Sequence, residues 1–118
     1  MFKDALRDIV EQVDGGLAGL IMDASGITLE RYTKAGATVD IDTVGIEFGV
    51  VVSAVKRATE MLEAGAPREL AVTTANMTTI IRMLDDTYFL ALALSPEGNV
   101  GKGRYLMRTA APKITAEL

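Results

Sequence analysis

The spacing of three apolar runs between residues 69 and 94 constrains the fold more than any other feature. The runs at 69–75, 78–84 and 88–94 have strand character, and turns of only two and three residues separate them. Since a parallel crossover needs a dozen or more residues, the three runs must pair as an antiparallel meander. The last two runs are apolar at both alternate sets of positions, which predicts that both faces of the sheet are covered.

Two further strands and three helices are predicted around this meander. Runs at 17–22 and 27–32 surround a turn that ends in Gly26, which is typical of a hairpin. The partly charged second run suits a protected sheet edge. Helical patterns cover three ranges: 2–13, 40–64 and 100–111. The order helix-strand-strand-helix-strand-strand-strand-helix predicts an α/β (α+β) chain, a three-layer α/β/α sandwich around a five-stranded antiparallel sheet, with residues 1–118 forming one domain.

The absence of Cys, His and Trp excludes much of protein chemistry. Thiol nucleophiles, His-based triads and the commonest ligands of transition metals are all impossible here. With 12 basic and 16 acidic residues the net charge is −4, which disfavours binding to nucleic acid. We therefore expect a protein that binds a partner and is not an enzyme, with no cofactor and no metal.

Neither end of the chain carries a targeting pattern. The first eight residues are too charged for a signal peptide, and no run reaches the roughly 18 apolar residues of a membrane span. The expected location is the cytoplasm, without membrane insertion.

Two motifs look chemical and have simpler explanations. The segment Gly98–Gly103 contains a Gly-Lys pair but lacks the upstream Gly and the downstream Ser or Thr of a phosphate loop, so we interpret it as a loop leading into a helix. Asp85 and Asp86 lack the alternate spacing of a calcium loop, and turn formation explains them better. The basic residues of the last helix are interpreted as a solvated face.

The helix at 40–64 is too apolar for a helix that is covered on one side only. A broad apolar face is predicted to pack on the sheet: Ile41, Val44, Phe48, Val51, Val52, Val55, Thr59 and Leu62. A second apolar stripe holds Ile46, Val50, Ala54 and Met61, and small residues at positions 45, 49 and 53 run between the two. Small residues at this spacing allow a second helix to approach, although loose packing within one chain would explain them equally well.

The strand at 69–75 carries no charge after Glu69, so at a sheet edge it would lack the usual protection against pairing. Together with the apolar helix it predicts a two-fold dimer, unless the strand is internal. The predicted interface residues are Gly45, Ile46, Gly49, Val50, Ser53, Ala54, Leu70, Val72 and Thr74.

The sequence resembles the roadblock/dynein light chain family along nearly its whole length. The resemblance rests on Gly16–Ile27, which is similar to the opening hairpin of the family, and on the segments Tyr88–Leu94 and Asn99–Arg108. It implies a roadblock (profilin-like) fold and a homodimer, or a heterodimer with a paralogue. Bacterial and archaeal single-domain members regulate or scaffold Ras-like small GTPases, and the gliding-motility type stimulates GTP hydrolysis.

The resemblance implies that a GTPase docks on the exposed side of the 40–64 helix. The candidate docking residues are Asp42, Glu47, Lys56, Arg57 and Glu60. Pro112 is expected to end the last helix earlier than in the family, and the chain lacks the longer tail of the gliding-motility type. Two other functions stay open: a structural assembly module that is indifferent to the nucleotide, and a small-molecule sensor.

Overall fold

The computed structural model describes all 118 residues and contains eight elements. Their bounds are α1 (Phe2–Gln12), β1 (Gly16–Asp23), β2 (Thr28–Thr33), α2 (Ile41–Met61), β3 (Glu69–Thr73), β4 (Thr78–Met83), β5 (Tyr88–Leu94) and α3 (Val100–Ala116). The predicted element order and the α/β (α+β) class are confirmed.

The five strands form one sheet in the order β2-β1-β5-β4-β3, and every neighbouring pair is antiparallel. The hairpin β1–β2 joins the meander β3–β4–β5 through pairing of β1 with β5, which brings Gly19 opposite Leu92. The charged strand β2 and the strand β3 therefore occupy the two edges. The three inner strands are the ones whose sequences are apolar on both faces.

Each face of the sheet has its own apolar core, which confirms the three-layer sandwich. One core lies under α1 and α3, and its helix residues include Leu6, Val10 and Met107. The other lies under α2, and Ile41 and Val52 pack there against the opposite face. None of the three helices combines the length and apolar character of a membrane span.

Side-chain hydrogen bonds fix the starts of α2 and α3 and the turn before β5. Asp40 caps α2 by accepting from the Thr43 backbone N–H at 3.3 Å, and Asn99 caps α3 by accepting from the Lys102 N–H at 3.0 Å. Asp85 accepts from the backbone N–H groups of the two residues that lead into β5, each at 2.8 Å. The interpretations of Asp85 as a turn residue and of Gly98–Gly103 as a helix entry are confirmed.

The expectation that Pro112 ends the last helix is wrong, because α3 continues to Ala116. Proline removes the hydrogen bond that an N–H at position 112 would donate to the Arg108 carbonyl, and its ring crowds that carbonyl, but neither effect ends the helix here. The turn beyond it is retained because Ile114 is buried in the core. The Thr115 hydroxyl also donates to the Ala111 carbonyl at 2.8 Å.

Candidate interaction surface

The outer side of α2 is an exposed apolar surface. Its inner side contributes Ile41, Val44 and Val52 to the core. On the outer side, Val50 is 70% exposed and Met61 is 75% exposed. The predicted second stripe is thus present and uncovered, and an uncovered apolar helix face is typical of an interaction site.

Two of the three small residues of α2, Gly45 and Gly49, face the sheet of their own chain, whereas Ser53 is exposed. A Cβ on Gly45 would lie 2.7 Å from the Leu20 Cδ2 atom, and a Cβ on Gly49 would lie 3.9 Å from the Phe89 ring. Gly45 is fully enclosed by this packing and is not available to a second helix. Gly45 therefore allows α2 to lie close to the sheet, which is the within-chain explanation that the sequence left open.

Two residues that were predicted to pack on the sheet are exposed instead. Val51 is 38% exposed, because it lies at the margin of the buried face. Leu62 is 76% exposed, because α2 ends at Met61 and Leu62 follows as its cap. Both add apolar area to the outer surface.

The strand β3 pairs only with β4, so its other edge is open. The Thr74 N–H donates to the Met77 carbonyl, and the Met83 N–H donates to the Arg68 carbonyl. Because antiparallel ladders alternate, the even-numbered residues of β3 bond to β4, whereas the N–H and C=O groups of Ala71 and Thr73 point away from it. The prediction of an edge strand without charged protection is confirmed.

The open edge and one flank of α2 lie on the same side of the molecule. Val52 and Val55 line a narrow crevice with Leu70 of β3 and with Met83. At 100° per residue, the next exposed positions toward this side form what we call the flank: Glu47, Val51, Ala54, Ala58 and Leu62. The outermost line, which we call the crest, consists of Ile46, Val50, Arg57 and Met61.

The predicted dimer-interface residues fall into three environments. Gly45 and Gly49 face the sheet, as described above. The exposed members on α2 are Ile46, Val50, Ser53 and Ala54. On β3, Leu70 and Val72 are half-buried, and Thr74 lies just past the strand, where its hydroxyl donates to the Met77 carbonyl at 2.7 Å.

Three of the predicted docking residues, Glu47, Arg57 and Glu60, are exposed on α2. Asp42 accepts from the Thr28 hydroxyl at 2.7 Å and is paired with Arg31 at 2.9 Å. The Thr28 hydrogen bond and the Arg31 guanidinium hold the pKa of Asp42 below its usual value. This carboxylate therefore ties α2 to β2 within the chain.

Lys56 also has an internal partner, because its Nζ donates to the Asp86 carbonyl in the β4–β5 turn at 2.9 Å. Asp42 and Lys56 thus stabilise the position of α2. Their partners lie at least 11 residues away in the sequence, so the helical pattern alone gave no signal of these contacts.

An open cleft of about 780 Å³ lies between the end of α2, the following loop and the β4–β5 turn. Its lining mixes Lys56 and Arg68 with Glu60 and Glu63. The chain contains no cluster of three or more carboxylates that could hold a metal ion. A small-molecule site is usually apolar with a few convergent polar groups, which this cleft does not provide.

The structure is similar to crystal structures of roadblock proteins. MglC from Myxococcus xanthus is 36% identical over 99% of this chain and 98% of that chain, with a TM-score of 0.73. A roadblock/LC7 domain from Streptomyces avermitilis has a TM-score of 0.86 at 12% identity, over 98% of this chain and 95% of that chain. The gliding protein MglB from Thermus thermophilus has a TM-score of 0.84 at 17% identity, over 98% and 88% of the two chains.

The similarity to the Streptomyces avermitilis and Thermus thermophilus structures shows a shared fold. The 36% sequence identity with MglC shows that the two chains are related. The chain belongs to the roadblock/LC7 family. Within that family it is related to MglC from Myxococcus xanthus. No protein-family model matches the sequence, and no curated protein matches it.

Proposed function

We propose that this chain is a dimeric adaptor or regulator of a Ras-like small GTPase, acting in the cytoplasm by binding rather than by catalysis. Its kinship with MglC, together with the fold that it shares with the gliding protein MglB, supports a regulatory role. The GTPase partner rests on the resemblance of the sequence to family members that act on such proteins. One observation carries the proposal: the outer side of α2 is apolar and uncovered in the single chain.

The dimer uses the flank of α2 together with the open edge of β3. Ala71 and Thr73 offer outward backbone groups that a second β3 strand can pair with in antiparallel fashion. Because the flank lies on the same side, the same two-fold axis brings the two flanks together. A paralogue with an equivalent edge and flank would form a heterodimer by the same contacts.

The GTPase docks on the crest, which such a dimer leaves uncovered. Ile46 and Val50, which the sequence predicts at the dimer interface, supply apolar contact area there together with Met61. The charged groups are Arg57 on the crest, Glu60 beside it and Glu47 at the N-terminal end of the flank, which suits recognition of a mixed polar and apolar surface. The docking role of Asp42 and Lys56 is indirect, through the placement of α2.

The experiment is a pull-down from native cell extract with the immobilised protein, in the presence of GDP or of a non-hydrolysable GTP analogue. We expect one small GTPase to be retained more strongly in one nucleotide state, and mass spectrometry identifies it. The double variant Val50→Ser/Arg57→Glu changes only crest residues and should lose at least tenfold in retention, about 1.4 kcal/mol. The matched control Thr33→Ser/Lys3→Glu changes exposed residues on β2 and α1, outside α2, and should retain the GTPase.

The other possible results distinguish between the competing functions. Equal retention in both nucleotide states would support an assembly module that is indifferent to the nucleotide. Retention of no GTPase in either state would contradict the proposal. Stabilisation of the isolated protein by a metabolite, abolished by a change at Arg68 in the cleft, would favour a small-molecule sensor.

A further inference from the structure

The positive charge of this acidic chain is concentrated on α3. The helix carries four basic residues, Lys102, Arg104, Arg108 and Lys113, and no acidic residue. The other 101 residues hold the remaining 8 basic and all 16 acidic residues, so that part of the chain has a net charge of −8 against +4 for the helix. Such a separation of charge produces a local positive field that the net charge conceals.

Three of these four basic groups are free of ion pairs. Arg104 is held by Glu69 of β3, with contacts of 2.6 Å and 3.0 Å. Lys102, Arg108 and Lys113 are exposed and make no salt bridge. The acidic side chain of Glu11 on α1 is turned toward β2, where it accepts from the Tyr32 hydroxyl.

An exposed aromatic ring lies among these basic groups. Tyr105 is 56% exposed, and the Arg108 guanidinium carbon lies 5.8 Å from its ring centroid. The buried side of α3, marked by Met107 and Ile114, holds the helix to the sheet, so the outer face is rigid. Tyrosine and arginine are enriched among the residues that contribute most of the binding energy in protein interfaces.

The outer face of α3 is a line of residues at spacings of three and four: Lys102, Tyr105, Thr109 and Lys113. At 1.5 Å per residue this line is about 17 Å long, and an extended segment of about five residues would span it. It lies on the opposite side of the sheet from α2. Occupation of this face would therefore not compete with the proposed dimer or GTPase contacts.

We infer that the outer face of α3 is a second docking surface, and that its occupant is an acidic protein segment that contains an aromatic or apolar residue. A positively charged surface with an exposed tyrosine is complementary to an acidic segment that contains an aromatic or apolar residue. A short segment experiences the local positive field within a Debye length of about 10 Å. A long polyanion such as a nucleic acid would also meet the surrounding charge of −8.

The test measures binding of a fluorescein-labelled ten-residue peptide of eight glutamates and two phenylalanines, by fluorescence anisotropy at 50 mM and 300 mM salt. We expect a dissociation constant of about 10–100 µM at the lower salt concentration, weakening several-fold at the higher one. Lys102→Glu/Arg108→Glu should weaken binding by about tenfold or more, and Tyr105→Ala by about threefold. A peptide with lysine in place of glutamate should not bind.

The matched control is Lys3→Glu/Lys34→Glu, which makes the same change in net charge away from α3. This control should bind the peptide within twofold of the unchanged protein, and thermal unfolding verifies that every variant is folded. Equal loss in both double variants would overturn the inference, because total charge would then explain binding. It is also overturned if the acidic peptide fails to bind, if single-stranded DNA or anionic vesicles bind more tightly, or if the site proves to be occupied by a second copy of the chain.

Discussion

Gly45 of α2 passes so close to Met22 of β1 that a Cβ at position 45 would lie 2.8 Å from the Met22 Cε atom. One turn further along, a Cβ at position 49 would lie 3.9 Å from the Phe89 ring, which is an ordinary van der Waals contact. The two glycines look equivalent in the sequence, but only Gly45 sets the distance between helix and sheet.

Alanine substitutions at these positions should therefore change the free energy of unfolding by different amounts. Gly49→Ala should stabilise the fold by up to about 1 kcal/mol, because alanine favours a helix and meets no clash. Gly45→Ala should be less stable than Gly49→Ala by about 1–3 kcal/mol, because the buried Met22 and Leu20 must move. Urea denaturation of the two variants measures this difference, and equal stabilities would show that the two side chains adapt freely.

The element order was predictable from the sequence because short turns and doubly apolar strands leave few alternative topologies. The packing direction of Gly45 was not predictable, since small residues between two apolar stripes can serve either neighbour. The partners of Asp42 were not predictable either, because a helical pattern says nothing about which strand passes beside it. The outward positions Val50 and Met61 were predicted correctly, since helical periodicity alone places them opposite the core.

Proline substitutions in β3 separate the dimer contact from the fold. The N–H of Ala71 points away from β4, so Ala71→Pro should leave the domain folded while removing a donor from the open edge. Val72 lies at a position that bonds to β4, so Val72→Pro should destabilise the domain by about 1–3 kcal/mol. Light scattering and circular dichroism should find a folded monomer for Ala71→Pro, and a folded dimer would exclude pairing through β3.

A charge on the flank tests the other half of the same interface. Ala54→Arg introduces a bulky cation where the proposal places a second copy of α2, and Ala54 is exposed in the single chain. We expect the dimer to dissociate at least tenfold more readily, about 1.4 kcal/mol, with the unfolding of the monomer nearly unchanged. The matched control Ala35→Arg lies in the exposed β2–α2 loop and should remain dimeric by sedimentation analysis.

Asp42 makes the stability of the α2–β2 contact depend on pH. Since the fold lowers the pKa of Asp42, its stabilising effect is present above the unfolded value of about 4 and is lost as the pH falls through the lower folded value. Asp42→Asn removes this titration and should cost about 1 kcal/mol at pH 7. Denaturation at a series of pH values should show the difference between the two proteins closing below about pH 4, whereas a constant difference would assign the effect to packing.

Replacement of Pro112 by alanine should stabilise the folded chain. Pro112→Ala restores an N–H donor within α3 and should raise the free energy of unfolding by about 1–2 kcal/mol, less than the full helix penalty because proline also restricts the unfolded chain. Pro96→Ala, in the exposed loop before α3, should change it by less than about 0.5 kcal/mol. Thermal unfolding compares the two, and a destabilised Pro112→Ala would mean that the proline fixes the geometry of the last turn.

The two edges of the sheet differ in a way that limits how many copies can assemble. The edge strand β2 carries Glu30 and Arg31, and charges on an edge discourage pairing with another strand. The edge strand β3 has no such protection between Leu70 and Thr73. A molecule with one receptive edge and one repellent edge can extend its sheet once, so pairing through β3 ends at two chains and cannot propagate into a fibre.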